Sequence, residues 1–165
     1  MELPVKDGYV DISGYPDLVY VTVINRYGTG TQTTAIYKDF GLARGALAST
    51  ISHDSHNLTV AYRSPEDAYL AAGTLRECAG GVCIADNGEV TTLPLPVAGL
   101  MSQMVCADVA AQIEAVQKKL DTMTDGTVTL LATAIMALPV LPGVIITDRG
   151  LVDGLSQQFI EQFEG

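Results

Sequence analysis

At 165 residues the chain has the length of one domain, with 48% hydrophobic but only 17% charged side chains, against about 25% charged in an average domain. Nineteen acidic and nine basic residues leave a net charge of −10. With no Lys/Arg stripe, that charge argues against a nucleic-acid partner, and the single adjacent basic pair, Lys118-Lys119, is too little to draw the chain to a membrane.

The deficit of charge predicts that part of the surface is covered, by another domain or by a second subunit. Met1 to Asp7 carries neither a basic n-region nor an apolar h-region, so no secretory signal is read there. Three cysteines, Cys78, Cys83 and Cys106, are odd in number and sparse. They read as reduced, structural thiols in a cytoplasmic protein.

In chain order, Leu18 to Tyr27 (LVYVTVINRY) is apolar on both faces, which predicts a central, doubly covered strand. Gly28-Thr29-Gly30 turns the chain, and Thr31 to Lys38 reads as the partner strand. Gly41 and Gly45 frame a loop before a small-residue strand, Ala46 to Ile51. Six polar residues then interrupt the apolar run: Ser52, His53, Asp54, Ser55, His56 and Asn57. The strand resumes at Leu58 to Tyr62, so the polar run is expected to be a turn at the edge of the core.

Ser64-Pro65-Glu66-Asp67 is a helix start, with a Ser cap, Pro at the first position and acids in the first turn. Ala68, Ala71, Leu75 and Cys78 recur on one face, and Gly80-Gly81 stops the helix. Val82 to Ala85, the turn Asp86-Asn87-Gly88 and Glu89 to Leu93 form a hairpin. Leu58–Tyr62, the helix and Val82–Ala85 together predict one βαβ unit.

Leu93-Pro94-Leu95-Pro96 reads as an extended connector, leading to Ser102 as the cap of a helix over 102–122. Val105, Val109, Ile113, Val116 and Leu120 form its apolar stripe. Thr127 to Ile146 lacks charge for twenty residues but contains Pro139, Pro142 and Gly143. It reads as a buried helix, a turn and the strand Val144–Thr147 rather than a membrane span. Asp148-Arg149-Gly150 then turns into a polar tail. The architecture expected is α+β, a mixed and largely buried sheet with two main helices, 65–78 and 102–122, packed on it.

The chemistry-bearing candidates centre on His53, Asp54, Ser55, His56 and Asn57. Two imidazoles three positions apart with a carboxylate between them can ligate a metal or contact a substrate if the turn points them the same way. Equally, Asp54, Ser55 and Asn57 can satisfy turn backbone groups while the histidines bond to carbonyls. Ser102 is a secondary candidate, as a cap or as an anion contact at a helix start. Asp148 and Arg149 are others, pairing with each other or anchoring a turn. No G-x-S-x-G elbow and no phosphate-cradling glycine loop is present.

Several stretches resemble the C-terminal domain of the bacterial adenine deaminases, members of the amidohydrolase superfamily. They are Phe40-Gly41-Leu42, Gly45 to Thr50, Ser52 to Asn57, Leu93 to Ser102, Ala137-Leu138-Pro139-Val140 and Thr147 to Asp153. The chain departs from the family pattern at Thr129 to Met136, and at Gly143 and Ile145.

The resemblance implies that residues 1–165 form a single such domain, in an enzyme that hydrolyses adenine to hypoxanthine and ammonia. It also implies that the chemistry belongs to a metal-binding (β/α)8 barrel absent from this chain. A divalent metal (manganese, iron or zinc) would act in the full enzyme, with none bound by this domain alone, and His53 and His56 remain the candidates here for metal contact. The expected partners are the catalytic barrel, as domain or subunit, and further copies of the chain. Two other readings stay open: a stand-alone purine- or protein-binding module, and a small metal enzyme using His53, Asp54 and His56.

Overall fold

The computed structural model describes residues 2–163. Met1 lies outside them, as do Glu164 and Gly165, the last residues of the tail read from the sequence. The chain opens with a two-residue ribbon, β1 (Val5–Lys6) and β2 (Tyr9–Val10). It then builds a hairpin from β3 (Leu18–Ile24) and β4 (Gln32–Lys38). β5 (Ala46–Ser49) and β6 (Leu58–Tyr62) follow, then α1 (Pro65–Glu77), and the hairpin of β7 (Gly81–Asp86) and β8 (Glu89–Pro94). The last part holds α2 (Cys106–Thr124), the short α3 (Leu130–Ile135), and a small sheet of β9 (Val144–Thr147), β10 (Gly150–Asp153) and β11 (Phe159–Ile160).

Six strands pair in the order β4-β3-β6-β5-β7-β8, every neighbouring pair antiparallel. The fold is α+β, as expected. Its βαβ unit takes a split form: β6 and β7 run parallel with β5 inserted between them, and α1 makes the crossing.

Strand alternation gives each face of this sheet its own cover. Val19, Val21 and Val23, with Leu47, Ala61, Ile84 and Leu93, form the face that meets Val116, Leu120 and Met123 of α2, together with Met136, Ile146 and Leu151. Each leucine fully buried there stabilises by about 1.5–3 kcal/mol. The opposite face carries small residues, Ala46, Ala48, Val60, Cys83 and Ala85, and these let α1 approach with Ala71 and Leu75.

Local chemistry sets the ends of the elements. Ser64 Oγ accepts from Asp67 N at 3.1 Å and Pro65 occupies the first turn of α1. The buried Asp67 carboxylate accepts from the backbone N–H of Asn87 (3.2 Å) and Gly88 (3.0 Å), tying the helix start to the β7–β8 turn. Asn87 and Gly88 both have positive φ, 53° and 82°, as a two-residue hairpin turn requires.

Four sequence expectations are corrected. β3 is covered fully on one face only: Val19, Val21 and Val23 are buried, while Tyr20, Thr22 and Ile24 are half-buried. Ser102 does not cap a helix. α2 begins at Cys106 with Val105 as its cap residue, and Ser102 Oγ accepts from Met104 N at 3.1 Å in the preceding turn. The stripe along α2 is buried only from Val116 onward, Val105 being 65% exposed and Val109 half-buried against the core. Finally, Gly150 to Asp153 is not tail but strand, paired from Gly150↔Thr147 to Asp153↔Val144. Among the described residues no helix is long and apolar enough to cross a membrane.

At the end of the sheet away from the polar loop, Asp86 is 6% exposed. It accepts from Lys119 Nζ at 2.9 Å and from Arg44 Nε at 3.1 Å. The Lys119 hydrogen bond, against the opposing effect of burial and with help from Arg44, holds the Asp86 pKa below the ordinary aspartate value of 3.8. A carboxylate whose folded pKa is depressed stabilises above its unfolded pKa, and that stability is lost as pH falls through the folded value. Asp86→Asn should therefore cost on the order of 2 kcal/mol at neutral pH. It should cost far less well below pH 3.8, as thermal melts at the two pH values would register.

Candidate functional site

The loop ends Ile24, Gln32, Ser49, Leu58, Gly81 and Pro94 all fall at one end of the six-stranded sheet, by register. The Asn25–Thr31 loop, the Ser52–Asn57 loop and the segment around Ala98-Gly99 therefore gather there. The Asp148-Arg149 turn of the small sheet joins them from across the core face.

The Ser52–Asn57 turn is anchored at both ends and open in the middle. Ser52 and Asn57 are buried, His53 and His56 half-buried, and Asp54 and Ser55 exposed. Ser52 Oγ and Thr59 Oγ1 share a hydrogen bond of 2.7 Å. His56 N donates to the Ser52 carbonyl at 2.6 Å, closing the turn, and His53 N donates to the Ala134 carbonyl of α3 at 2.8 Å. The His53–Asp54 peptide is cis, and His56 takes a left-handed φ of 52°, a region histidine enters more readily than most side chains.

The two imidazoles lie together, ring centroids 5.2 Å apart at 69°. Burial lowers the His56 pKa below 6.5, the neighbouring His53 and Arg26 lower it further, and Asp54 opposes them. His56 is thereby favoured as a neutral imidazole, one nitrogen donating and the other accepting. A metal on both rings would need further ligands: among the described residues, no cluster of three or more His, Cys, Asp or Glu side chains forms.

Asp148 reaches this loop from the β9–β10 turn. Its carboxylate accepts from Asn25 Nδ2 at 3.0 Å and from the Thr31 hydroxyl. Burial alone would raise the Asp148 pKa; Thr31, Asn25 and the adjacent Asn57 amide outweigh it and hold it below 3.8. The sequence expectation that Asp148 pairs with Arg149 or merely anchors its turn is thus replaced by contacts to two distant loops. Arg149 turns away, its guanidinium 5.7 Å from the Phe159 ring centroid. Ser102 makes its contact in its own turn and none with the polar loop among its hydrogen bonds.

Three residues that the sequence did not single out complete the cluster: Asn25, Arg26 and Tyr27, where β3 runs out into its loop. Tyr27 donates its hydroxyl to the Ser55 carbonyl. Arg26 Nη2 donates to the Ala98 carbonyl at 2.7 Å, and its guanidinium lies 5.4 Å from the Tyr27 ring centroid. A polar triplet ending an apolar strand was the available signal.

The ledger of polar atoms is incomplete at this end. Among the described residues, Arg26 Nε, His56 Nδ1 and Asn57 Oδ1 are buried without a hydrogen-bond partner. An ionised Asp148 only accepts, so Asn57 must turn its amide toward it, and this leaves the oxygen as the unused group. Beside the cluster a groove of about 1040 Å³ runs along α1, lined by Ile24, Arg26, Leu58, Ala72 and Pro96 among others.

The chain is thus a three-layer α+β domain with a polar, two-histidine loop at one end of its six-stranded sheet. Residues 1–158 match the family model described as adenine deaminase C-terminal domain, and the chain belongs to that family. It is 39% identical over 166 residues to the adenine deaminase of Moorella thermoacetica, covering 99% of this chain. It is 39% identical over 170 residues to that of Clostridium botulinum, and 36% over 157 residues to adenine deaminase 2 of Carboxydothermus hydrogenoformans, covering 99% and 93% of this chain. The chain spans about 28% of the length of each of these relatives.

Proposed function

We propose that this chain serves as the C-terminal domain of an adenine deaminase, packing on a catalytic barrel and presenting His53, Asp54, Ser55, His56 and Asn57 to the mouth of its active site. The observation that carries the reading is the set of buried atoms without partners, Arg26 Nε, His56 Nδ1 and Asn57 Oδ1. A buried polar atom left unpaired costs about 1–3 kcal/mol, and folded proteins keep few of them. Three at one sheet end are explained by a surface or ligand that supplies the missing groups.

In the whole enzyme, adenine and water would give hypoxanthine and ammonia, at a divalent metal held by the barrel. The part proposed for the loop residues is to bind, orient and exclude water at that mouth; among the described residues no three His, Cys, Asp or Glu side chains gather into a metal set. Exposed Tyr9, Tyr69, Leu131 and Val105 favour a covered surface, shared with the barrel or with another copy of the chain. Free Cys78, Cys83 and Cys106 agree with a reducing, cytoplasmic setting.

A second reading has the same support from the unpaired atoms: a module that binds a purine or a protein without turnover. The two separate by calorimetry and deletion. Under the first, removing this domain from the full-length polypeptide abolishes adenine deamination, and the 165-residue chain alone neither deaminates adenine nor binds it tightly. Micromolar binding of adenine by the isolated chain, with deamination surviving the deletion, would favour the second.

A further inference from the structure

We propose that Asn25, Arg26 and Tyr27, backed by Asp148, form a clamp of positioning residues that holds the Ser52–Asn57 loop in its presenting conformation. As a statement about function this rests on the reading above; as a statement about the order of the loop it stands alone.

The members of the triplet act on the loop in different ways. Tyr27 grips its tip through the Ser55 carbonyl. Arg26, fastened to the Ala98 carbonyl at 2.7 Å, sets its guanidinium 5.4 Å from the Tyr27 ring centroid and so braces the tyrosine that holds the loop tip. Asn25 reaches the loop indirectly. It donates to Asp148 at 3.0 Å, and Asp148 in turn lies against the buried Asn57 amide.

The other anchors of the loop lie at its ends: the Ser52 and Thr59 hydroxyls share a hydrogen bond of 2.7 Å, His56 N donates to the Ser52 carbonyl and His53 N to the Ala134 carbonyl. Asp54 and Ser55 are exposed. Tyr27 is itself 63% exposed, so packing does not account for its placement across the loop tip. The triplet is also kept in shape from within, since Asn25 Oδ1 accepts from Tyr27 N at 2.8 Å. Second-layer hydrogen bonds of this kind fix the rotamers and backbone on which a site depends.

The chain has only two histidines, so its imidazole Cε1–H region contains two signals and reports the loop directly. Proton–carbon correlation spectra of the 165-residue chain would be compared for wild type, Tyr27→Phe, Asp148→Asn and Lys38→Ala. The last lies at the opposite end of the sheet and controls for general loosening. The clamp predicts that Tyr27→Phe and Asp148→Asn displace or broaden both signals while Lys38→Ala leaves them in place. It also predicts that Arg26→Gln, which loses the bond to the Ala98 carbonyl and the contact with the Tyr27 ring, displaces the same signals.

Superimposable imidazole signals in Tyr27→Phe and Asp148→Asn would overturn the proposal, as would equal displacement in Lys38→Ala. Failure of the functional reading looks different. The signals would move in the isolated chain as stated, yet the same substitutions in the full-length polypeptide would leave adenine deamination at its wild-type rate.

Discussion

Gly81→Ala should unfold the protein or lower its melting temperature by more than about 10 °C, the change expected when roughly 4 kcal/mol is lost from a domain of this size. Gly81 has a φ of +137°, and a Cβ built there would sit 2.0 Å from the Leu93 carbonyl oxygen and 3.0 Å from Leu95 N. Both neighbours are backbone and fixed on other sides: Leu95 N donates to the Gly80 carbonyl at 2.9 Å, and β8 is paired with β7 from Gly81↔Pro94 to Asp86↔Glu89. Thr50 adds a third constraint, since its Oγ1 accepts from Gly81 N at 2.8 Å and donates to the Gly99 carbonyl at 2.7 Å. No side chain can yield to make room.

Gly73→Ala provides the contrast. It lies within α1, where a Cβ meets nothing within 4 Å, and helix propensity alone should make the variant about 0.5–1 kcal/mol more stable. Thermal melts of the two variants check both signs at once. A Gly81→Ala chain melting within about 2 °C of wild type would contradict the packing described for the β7–β8 end.

What could be read from the sequence was what short-range chemistry decides. The start of α1 followed from Ser64-Pro65-Glu66-Asp67, and the β7–β8 turn from Asp86-Asn87-Gly88. The loop at Ser52–Asn57 followed from six polar residues between two apolar runs. The errors arose where tertiary packing overrides pattern. Tyr20 and Ile24 look as apolar as their neighbours, yet α1 covers β5–β7 rather than β3, so the second face of β3 stays half-buried. Ser102 has the right side chain for a cap, but Val97 and Met101 bridge just before it and delay the helix.

The rest of the site was illegible for a geometric reason. Thr31 and Asp148 lie 117 positions apart, and nothing in the local sequence of Asn25-Arg26-Tyr27 states that a loop near residue 55 folds against it. Asp148 was recognisable as a candidate because of the turn it sits in, but its partners were not.

The functional account turns on His56 and its neighbours in the whole enzyme. His56→Asn is the suitable substitution, since asparagine tolerates the left-handed φ of 52° and keeps the closing bond from its backbone N–H to the Ser52 carbonyl. It removes the imidazole, which burial favours in its neutral form and which carries the unpaired Nδ1. If that ring helps to bind or orient substrate at the barrel, its loss is of the kind that costs on the order of 10²-fold in rate. His53→Gln should give a loss in the same direction, because its ring packs edge-on against His56.

The decisive measurement is kcat/KM for adenine in the full-length polypeptide carrying His56→Asn, taken beside its melting temperature. The account predicts a fall of about 10²-fold with melting changed by less than about 2 °C. Wild-type kinetics in a variant that folds normally would contradict it.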